Sequence, residues 1–191
     1  MSLPYIKDHT FHQADCLNKP LEKAEYEYCQ FLNIDMGSAD LSGFSFTDCT
    51  FVGCNLSMSR ISKTSFKSIK WKGCKIMGLK WDECNPFLFS VSFEDCMLDL
   101  SIFYGVRLKK TSFVRSSLKE TDFSEADLEH AVFEDCDLAG AVFDGSNLSQ
   151  CDFSTARQYI IDPEQNYIKN AIFSWPGVSG LLVKYGIRLV D

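Results

Sequence analysis

Residues 131–153 read "AVFEDCDLAGAVFDGSNLSQCDF", and every fifth residue from Phe133 to Phe153 is Phe or Leu. A small residue stands two places before each of these large apolar ones. An α-helix presents one face about every 3.6 residues and a strand every second residue, so a period of five fits neither element alone. A five-residue unit is too short to fold by itself, which favours a fold in which successive units stack on one another.

The same period runs through most of the chain. It extends back from Phe153 without a break to Phe93, which makes thirteen consecutive units. A second run, two residues out of phase with the first, extends from Phe31 to Trp81. The phase changes within "CNPFLFS", residues 84–90, where Pro86 lacks a backbone donor and restricts the residue before it. We therefore expect a small bulge or turn there.

A five-residue unit can form one side of a coil, four such sides can make a square coil, and we expect successive coils to pair as parallel β-bridges. The central Phe or Leu then points inward, and the small residue beside it leaves room in the narrow interior. The other three places of each unit are mostly polar and face outward. Roughly 29 units give a little over seven coils, or a rod about 35 Å long at the strand spacing of about 4.8 Å.

At this point the sequence resembles the pentapeptide-repeat family. Its motif is a small residue, Asp or Asn, Leu or Phe, and two variable residues, which matches "ADLEH", "CDLAG", "SNLSQ" and "CDFST". The resemblance covers about residues 9–157 and implies an all-β solenoid, a right-handed quadrilateral parallel β-helix. We therefore divide the chain into a β-helix, residues 1–157, and a C-terminal segment, residues 158–191.

The C-terminal segment has a different pattern. Pro176 suits a first helical turn and Gly186 suits the residue that ends a helix. Between them, spacings of three and four residues separate the apolar residues Val178, Leu181, Leu182 and Tyr185. "YIKNAIFS", residues 167–174, returns to the five-residue step and predicts one last side, and "IRLV", residues 187–190, predicts a short strand.

Two interpretations of the predicted helix remain open. Its apolar stripe covers the last coil as a cap, or it joins two copies of the chain. "SGLLVKYGIRLV" is similar to the tail of the quinolone-resistance (Qnr-type) branch, and this resemblance implies a homodimer joined end to end. The interface would then comprise Val178, Leu181, Leu182 and Tyr185.

The sequence predicts no enzyme, cofactor, metal or small-molecule substrate. Eight of the nine cysteines occupy the small inward place and Cys16 a central place, which favours apolar filling over disulfides or metal binding. The three histidines, His9, His12 and His130, are too scattered to form a site. The N-terminus lacks the regions of a signal peptide, and no apolar run is long enough to span a membrane. We therefore expect a cytoplasmic protein without membrane contact.

Charge is the main functional signal. The net charge is −7, which argues against direct binding of nucleic acid, but residues 49–81 carry +7 and residues 82–152 carry −10. The acidic stretch, at about 0.6 charge per Å, matches the density of B-DNA, which carries one charge per about 1.7 Å. The resemblance to Qnr-type and microcin-immunity proteins implies that the rod mimics DNA and binds DNA gyrase or topoisomerase IV, protecting it from quinolones or a toxin. The residues expected to contact this partner are Asp122, Asp127, Glu134, Asp135, Asp137 and Asp144.

Two alternatives to this function remain open. The basic band from Arg60 to Lys80 interrupts any continuous acidic strip along the rod. A pure DNA mimic has no need of such a band. The protein is then a general interaction scaffold, whose partner matches alternating acidic and basic zones, or it has a purely structural role.

Overall fold

The computed structural model describes residues 3–16, 20–188 and 190. Its chain winds as a parallel β-solenoid of about eight coils, as the sequence predicts. Residues 20 apart pair in register, as Phe11 does with Phe31 and Phe113 with Phe133. Because coils at both ends of the chain take part in this pairing, the solenoid is slightly longer than the seven coils expected.

The solenoid has four sides, which we number I to IV in chain order starting at residue 10, so that the residues just before it belong to side IV. Side IV begins with a four-stranded sheet of β1 (Tyr5–Lys7), β3 (Glu25–Glu27), β5 (Ser45–Thr47) and β7 (Ser65–Lys67). Side I carries nine strands: β2 (Thr10–His12), β4 (Gln30–Leu32), β6 (Thr50–Val52), β8 (Ile69–Lys72), β9 (Val91–Glu94), β10 (Ser112–Val114), β11 (Val132–Glu134), β12 (Asp152–Phe153) and β13 (Ile172–Phe173).

Single bridges hold the other sides together. On side II they link Asp35, Asn55, Lys75, Met97, Ser117, Asp137 and Arg157 in turn. On side III they join Asp40 to Arg60 and run from Lys80 through Ile102 and Asp122 to Val142. After β7, side IV continues as bridges from Arg107 to Tyr167. Bridges between successive coils therefore occur on all four sides, at the predicted interval of five residues along the chain.

The interior is filled by the central residues of the units. In the C-terminal half Phe occupies sides I and III and Leu occupies sides II and IV, so each coil contains two opposed rings and two opposed aliphatic side chains. Rings on one side stack, as in Phe113 on Phe133 with centroids 4.9 Å apart, whereas rings on the opposed sides I and III meet edge to face, as Phe113 does with Phe123. Phe123 is fully buried. The alternation of Phe and Leu thus fills the narrow interior with packed side chains.

The predicted phase change is a two-residue insertion on side IV. Trp71 pairs with Phe93, so this coil has 22 residues instead of 20. A 3₁₀ turn (Trp81–Glu83) precedes the insertion, and Phe89 packs inward against Trp81 with ring centroids 6.1 Å apart. Asn85 anchors the turn, because its backbone N–H donates to the Thr64 carbonyl at 3.0 Å.

The solenoid continues beyond residue 157, where the sequence analysis divides the chain. β13 pairs with β12, so "YIKNAIFS" supplies the last side as expected. A helical segment follows, comprising a 3₁₀ turn (Pro176–Val178), α2 (Ser179–Leu182) and a second 3₁₀ turn (Val183–Tyr185). It ends at Gly186, whose φ is 59°. A short helix, α1 (Gln13–Cys16), lies near the other end.

The strand predicted for "IRLV" is wrong for its described part. Ile187 and Arg188 belong to no strand, and Leu189 lies outside the described residues. Ile187 is 54% exposed, so it has no packed sheet edge to join.

Candidate partner-binding surfaces

The reactive groups of the interior are cysteine thiols that are buried away from solvent. All nine cysteines are unpaired, and eight of them are buried. Their thiols donate to backbone carbonyls, as Cys136 does to Phe113 at 3.4 Å. Burial raises the pKa of Cys136 to about 11, and that of Cys151 to about 12. A hydrogen bond from Cys74 lowers the pKa of Cys96, but that side chain is 2% exposed and out of reach of a substrate.

Other site types are also missing from the described part of the chain. No group of His, Cys, Asp and Glu there has a metal-binding arrangement, and His9, His12 and His130 are exposed and apart. None of its helical segments has the length and apolar character that a membrane span requires.

The six predicted partner-binding carboxylates do not share one side. Asp122 and Asp144 lie on side III, Asp127 on side IV, Glu134 and Asp135 on side I, and Asp137 on side II. All six are within about two coils of one another along the rod, so they form a belt around it. A flat partner surface can contact at most the members on one side and its corners.

Side III is the acidic side on which, among the described residues, only Glu83 has a cationic partner, Lys80 at 3.6 Å. Between residues 82 and 152 it carries five acids, Asp82, Glu83, Asp122, Glu125 and Asp144, and no Lys or Arg. We call Asp122, Glu125 and Asp144 the acidic strip. None of the three takes part in an ion pair with a described residue. The Glu125 side chain lies over Gly145, where an added Cβ would come 2.6 Å from its Oε1.

The acids on the other sides are partly neutralised. Arg115 contacts Glu94 and Asp95 on side I, each at 2.8 Å. On side II, Lys119 lies 3.2 Å from Asp137. On side IV, Lys109 lies 3.2 Å from Asp127 and 2.6 Å from Glu129, and its hydrogen bond lowers the pKa of Glu129. Two of the six predicted residues, Asp127 and Asp137, thus have cationic partners.

The basic band circles the whole rod. Lys67 lies on side IV, Lys70 and Lys72 on side I, and Lys75 on side II. Side III receives Arg60, Lys63 and Lys80. Lys80 is 3.6 Å from Glu83, and Lys72 is 3.0 Å from Glu94. The acidic strip therefore begins only beyond the band, toward the C-terminal end.

Comparison with known families agrees with this architecture. A model described as a pentapeptide repeat region matches residues 87–157, and a second, of eight pentapeptide repeats, matches residues 29–67. The chain belongs to the pentapeptide-repeat family. Among curated protein sequences none matches significantly.

Several solved pentapeptide-repeat structures are similar. A trypsin-treated variant of QnrB1, described as a plasmid-mediated fluoroquinolone resistance protein, is 20% identical over 99% of each chain, with a TM-score of 0.49. Full-length QnrB1 is 19% identical over 98% of this chain and 99% of its own, with a TM-score of 0.43. HetL from the cyanobacterium Nostoc sp. strain PCC 7120, described as involved in heterocyst differentiation regulation, is 15% identical over 89% of this chain and 84% of its own, with a TM-score of 0.36.

The C-terminal helical segment of this pentapeptide-repeat protein folds back onto the last coil. Leu181 packs against the core, and Val178 and Leu182 are half-buried. Gly180 allows close contact, since a Cβ there would lie 2.2 Å from the Tyr159 carbonyl oxygen. The Gly180 carbonyl accepts a hydrogen bond from the Ile161 N–H at 3.1 Å. This part of the predicted interface therefore acts as a cap within one copy.

A different set of apolar side chains remains exposed at that end. Trp175 is 89% exposed and Val190 81%, and Val183, Tyr185 and Ile187 are each more than half exposed. Tyr185 is the predicted interface residue that belongs to this set, and its hydroxyl donates to Glu164 at 3.0 Å. Lys184 holds the segment down through Asp162 at 2.7 Å and Glu164 at 2.6 Å.

Sequence reasoning missed Glu125 as a member of the acidic strip, although the signal was present. Residues 20 apart share one column of the rod, so the acids could have been sorted by side. The two-residue insertion does not disturb this sorting beyond residue 93. The exposed Trp175 gave no such signal, because its outward direction depends on how the helical segment packs on Tyr159.

Proposed function

We propose that this protein is a non-enzymatic rod that binds a positively charged, DNA-binding surface of another protein through the acidic strip. The observation that carries the proposal is the acidic strip on side III, whose three carboxylates have no ion-pair partner among the described residues. Each exposed carboxylate contributes only about 0–1 kcal/mol in a pairwise contact. Their summed field is what steers a basic partner, and salt screens it.

A type II topoisomerase is the partner that we propose, on the strength of the resemblance of the repeats and tail to Qnr-type proteins. The enzyme's DNA-binding surface must attract a rod-shaped polyanion. Side III offers one, and the overall acidity disfavours direct contact with nucleic acid. Binding of this protein would then lower the amount of the enzyme–DNA complex on which a fluoroquinolone or a toxin acts. The unpaired cysteines support a cytoplasmic location, since disulfides are rare in that reducing compartment.

We further propose that two copies join at their C-terminal ends. Trp175, Val183, Tyr185, Ile187 and Val190 form the contact, because a cluster of exposed apolar side chains at one end of a rod favours self-association. Such a dimer places the two acidic strips near its centre and the basic bands farther out. Light scattering on the full chain and on a Trp175→Ser, Ile187→Ser variant tests it. A full-length monomer at micromolar concentration would remove the proposal.

The functional test is supercoiling by DNA gyrase, with and without the purified protein and with and without a fluoroquinolone. We expect the protein to change supercoiling activity or drug sensitivity. The variant Asp122→Asn, Glu125→Gln, Asp144→Asn should lose most of this effect. The matched control, Glu134→Gln, Asp135→Asn, Asp137→Asn, removes the same charge from sides I and II and should retain it.

The scaffold alternative makes a different forecast. A partner that contacts the basic band on side I responds to Lys70→Gln and Lys72→Gln, which lie on one strand, β8. Lys67 faces another side and serves as the control. If gyrase neither binds the protein at low salt nor changes its activity, the topoisomerase assignment is wrong and the scaffold reading takes its place.

A further inference from the structure

The insertion on side IV exposes two large apolar side chains. Phe87 is 65% exposed and Leu88 64%. We call this pair the knob. Burial of such a side chain contributes about 1.5–3 kcal/mol, and the regular units from Tyr26 to Trp81 and from Phe93 to Phe153 all bury their central residues. The coil could pack without the two extra residues, because the other coils do so with 20.

The knob is held in place by its surroundings. The Asn85 side chain donates to Ser65 Oγ at 2.9 Å and accepts from the Phe87 N–H at 3.1 Å. Phe89, on the other side of the knob, packs toward the core. Both ends of the turn are therefore anchored, so the two side chains are presented outward by a fixed backbone. A preformed surface loses little conformational freedom on binding.

Basic side chains surround the knob. The Lys67 ammonium lies 5.4 Å from the centroid of the Phe87 ring. Lys63 is on the adjoining corner, and Arg107 and Lys110 are on the next coil. We call these four residues the basic rim. None of them has an ion-pair partner among the described residues, whereas Lys109 is occupied by Asp127 and Glu129.

A groove adjoins the knob on its C-terminal side. Pro86, Phe89, Tyr104, Val106 and Arg107 line it, and its volume is about 180 Å³. Trp81 also lines the groove, and its indole Nε1 has no acceptor among the described residues. Asp82 lines the groove as well, and an apolar side chain of a partner fits this space.

We propose that the knob, the groove and the basic rim form a docking site for an acidic segment of a partner protein, one that carries an apolar side chain. The apolar surface supplies an anchor, and the unpaired cations of the rim complement carboxylates on either side of it. This site is separate from the acidic strip and takes a partner of opposite charge. It does not depend on the function proposed above.

A protein segment fits better than a nucleic acid or an anionic membrane. Asp82 and Glu125 lie on side III, next to the corner that bounds side IV. A broad phosphate-covered surface would contact these acids as well and be repelled. A narrow segment lying along side IV contacts the basic rim with its carboxylates and places its apolar side chain, which carries no charge, in the groove that Asp82 also lines.

The test uses a fluorescein-labelled peptide of 14 residues in which Glu alternates with Leu and Phe. Two control peptides keep the length: one replaces Leu and Phe with Ser, and the other replaces Glu with Lys. Fluorescence polarisation should show binding of the acidic apolar peptide. Each control should bind at least about tenfold more weakly, a loss of about 1.4 kcal/mol or more, because one lacks the apolar anchor and the other lacks the carboxylates. No binding of the acidic apolar peptide at about 1 mM overturns the proposal.

Variants of the protein locate the site. Phe87→Ser with Leu88→Ser, and Arg107→Glu with Lys110→Glu, should each weaken binding at least about tenfold. Matched controls on the same side are Tyr167→Ser, which is 70% exposed, and Lys169→Glu, several coils away, and both should bind as the original does. Because all of these side chains are exposed, circular dichroism should show an unchanged fold.

Three further outcomes would also overturn the proposal. Equal binding of the Ser-containing peptide indicates charge attraction without an anchor. Binding to phosphatidylglycerol vesicles that depends on Phe87 and Leu88 assigns the knob to a membrane. Self-association that Phe87→Ser with Leu88→Ser abolishes, measured by light scattering without peptide, assigns it to a second copy of the chain.

Discussion

A residue's place in the five-residue unit decides its role in this molecule. The central and small places are buried, and the other three face outward. The last place also turns the corner, and many of its residues have positive φ, such as Glu120 at 53° and Glu125 at 58°. A substitution therefore acts on stability or on the surface according to its place, even where two positions are only two residues apart.

Phe123 and Glu125 show this difference directly. Phe123→Ala leaves a cavity between stacked and perpendicular rings, and we expect it to lower the free energy of unfolding by about 3–5 kcal/mol. Glu125→Ala should change it by less than about 0.5 kcal/mol, because the side chain is on the surface. Urea unfolding followed by circular dichroism measures both. Similar values for the two variants would contradict the assignment of inward and outward places.

Thiol reactivity tests the buried cysteine positions. Burial raises the pKa of Cys49 to about 12. For Cys74 a hydrogen bond with Cys54 lowers the pKa, but a hydrogen bond with Cys96 and burial raise it, to about 12. We expect iodoacetamide at pH 8 to modify only Cys16 in the native protein, and all nine cysteines in urea. Mass spectrometry counts the adducts. Native modification of Cys136 or Cys151 would be inconsistent with the filled interior.

At the scale of elements, the C-terminal helical segment is where sequence reasoning was least complete. The spacing of Val178, Leu181, Leu182 and Tyr185 predicted the helix and its apolar stripe. It could not tell which side chains contact the last coil, because that depends on the close approach of Gly180 to Tyr159. The insertion shows the same limit: Pro86 and the phase change located it, but only the structure separates inward Phe89 from outward Phe87.

The cap should depend on pH through its ion pairs. The Lys184 ammonium lowers the pKa of Asp162 and of Glu164. A carboxylate with a lowered folded pKa stabilises the fold above its unfolded pKa, of about 4, and this stabilisation disappears as the pH falls through the folded value. We therefore expect the cap to loosen below about pH 4, seen as faster hydrogen exchange of the Ile161 amide relative to core amides.

The control for this prediction is Lys184→Met, which keeps an unbranched side chain of similar length but removes the charge. Its Ile161 amide should exchange faster at neutral pH and show less change on acidification. A pH response as large as that of the original protein would mean that other groups cause the loosening.

For the whole molecule, the repeat predicted most of the fold because each unit packs by the same rule as its neighbours. The period of five implied stacked coils, and the resemblance supplied their square shape. The location of charge was harder to predict. Asp122 and Asp144 fall on one side, whereas Glu134 and Asp137 fall on two others, since sequence distance does not indicate side unless it is counted in steps of 20.

The central claim is that side III competes with DNA for a basic protein surface. The most direct measurement is displacement of a fluorescent DNA duplex from DNA gyrase by this protein, at about 50 mM and about 200 mM salt. We predict displacement at low salt and a steep weakening of displacement at high salt. The variant Asp122→Asn, Glu125→Gln, Asp144→Asn should displace DNA at least about tenfold less well. The variant Glu134→Gln, Asp135→Asn, Asp137→Asn should not show this loss. Displacement that is absent at low salt, or equally weakened by both sets of substitutions, would contradict the account.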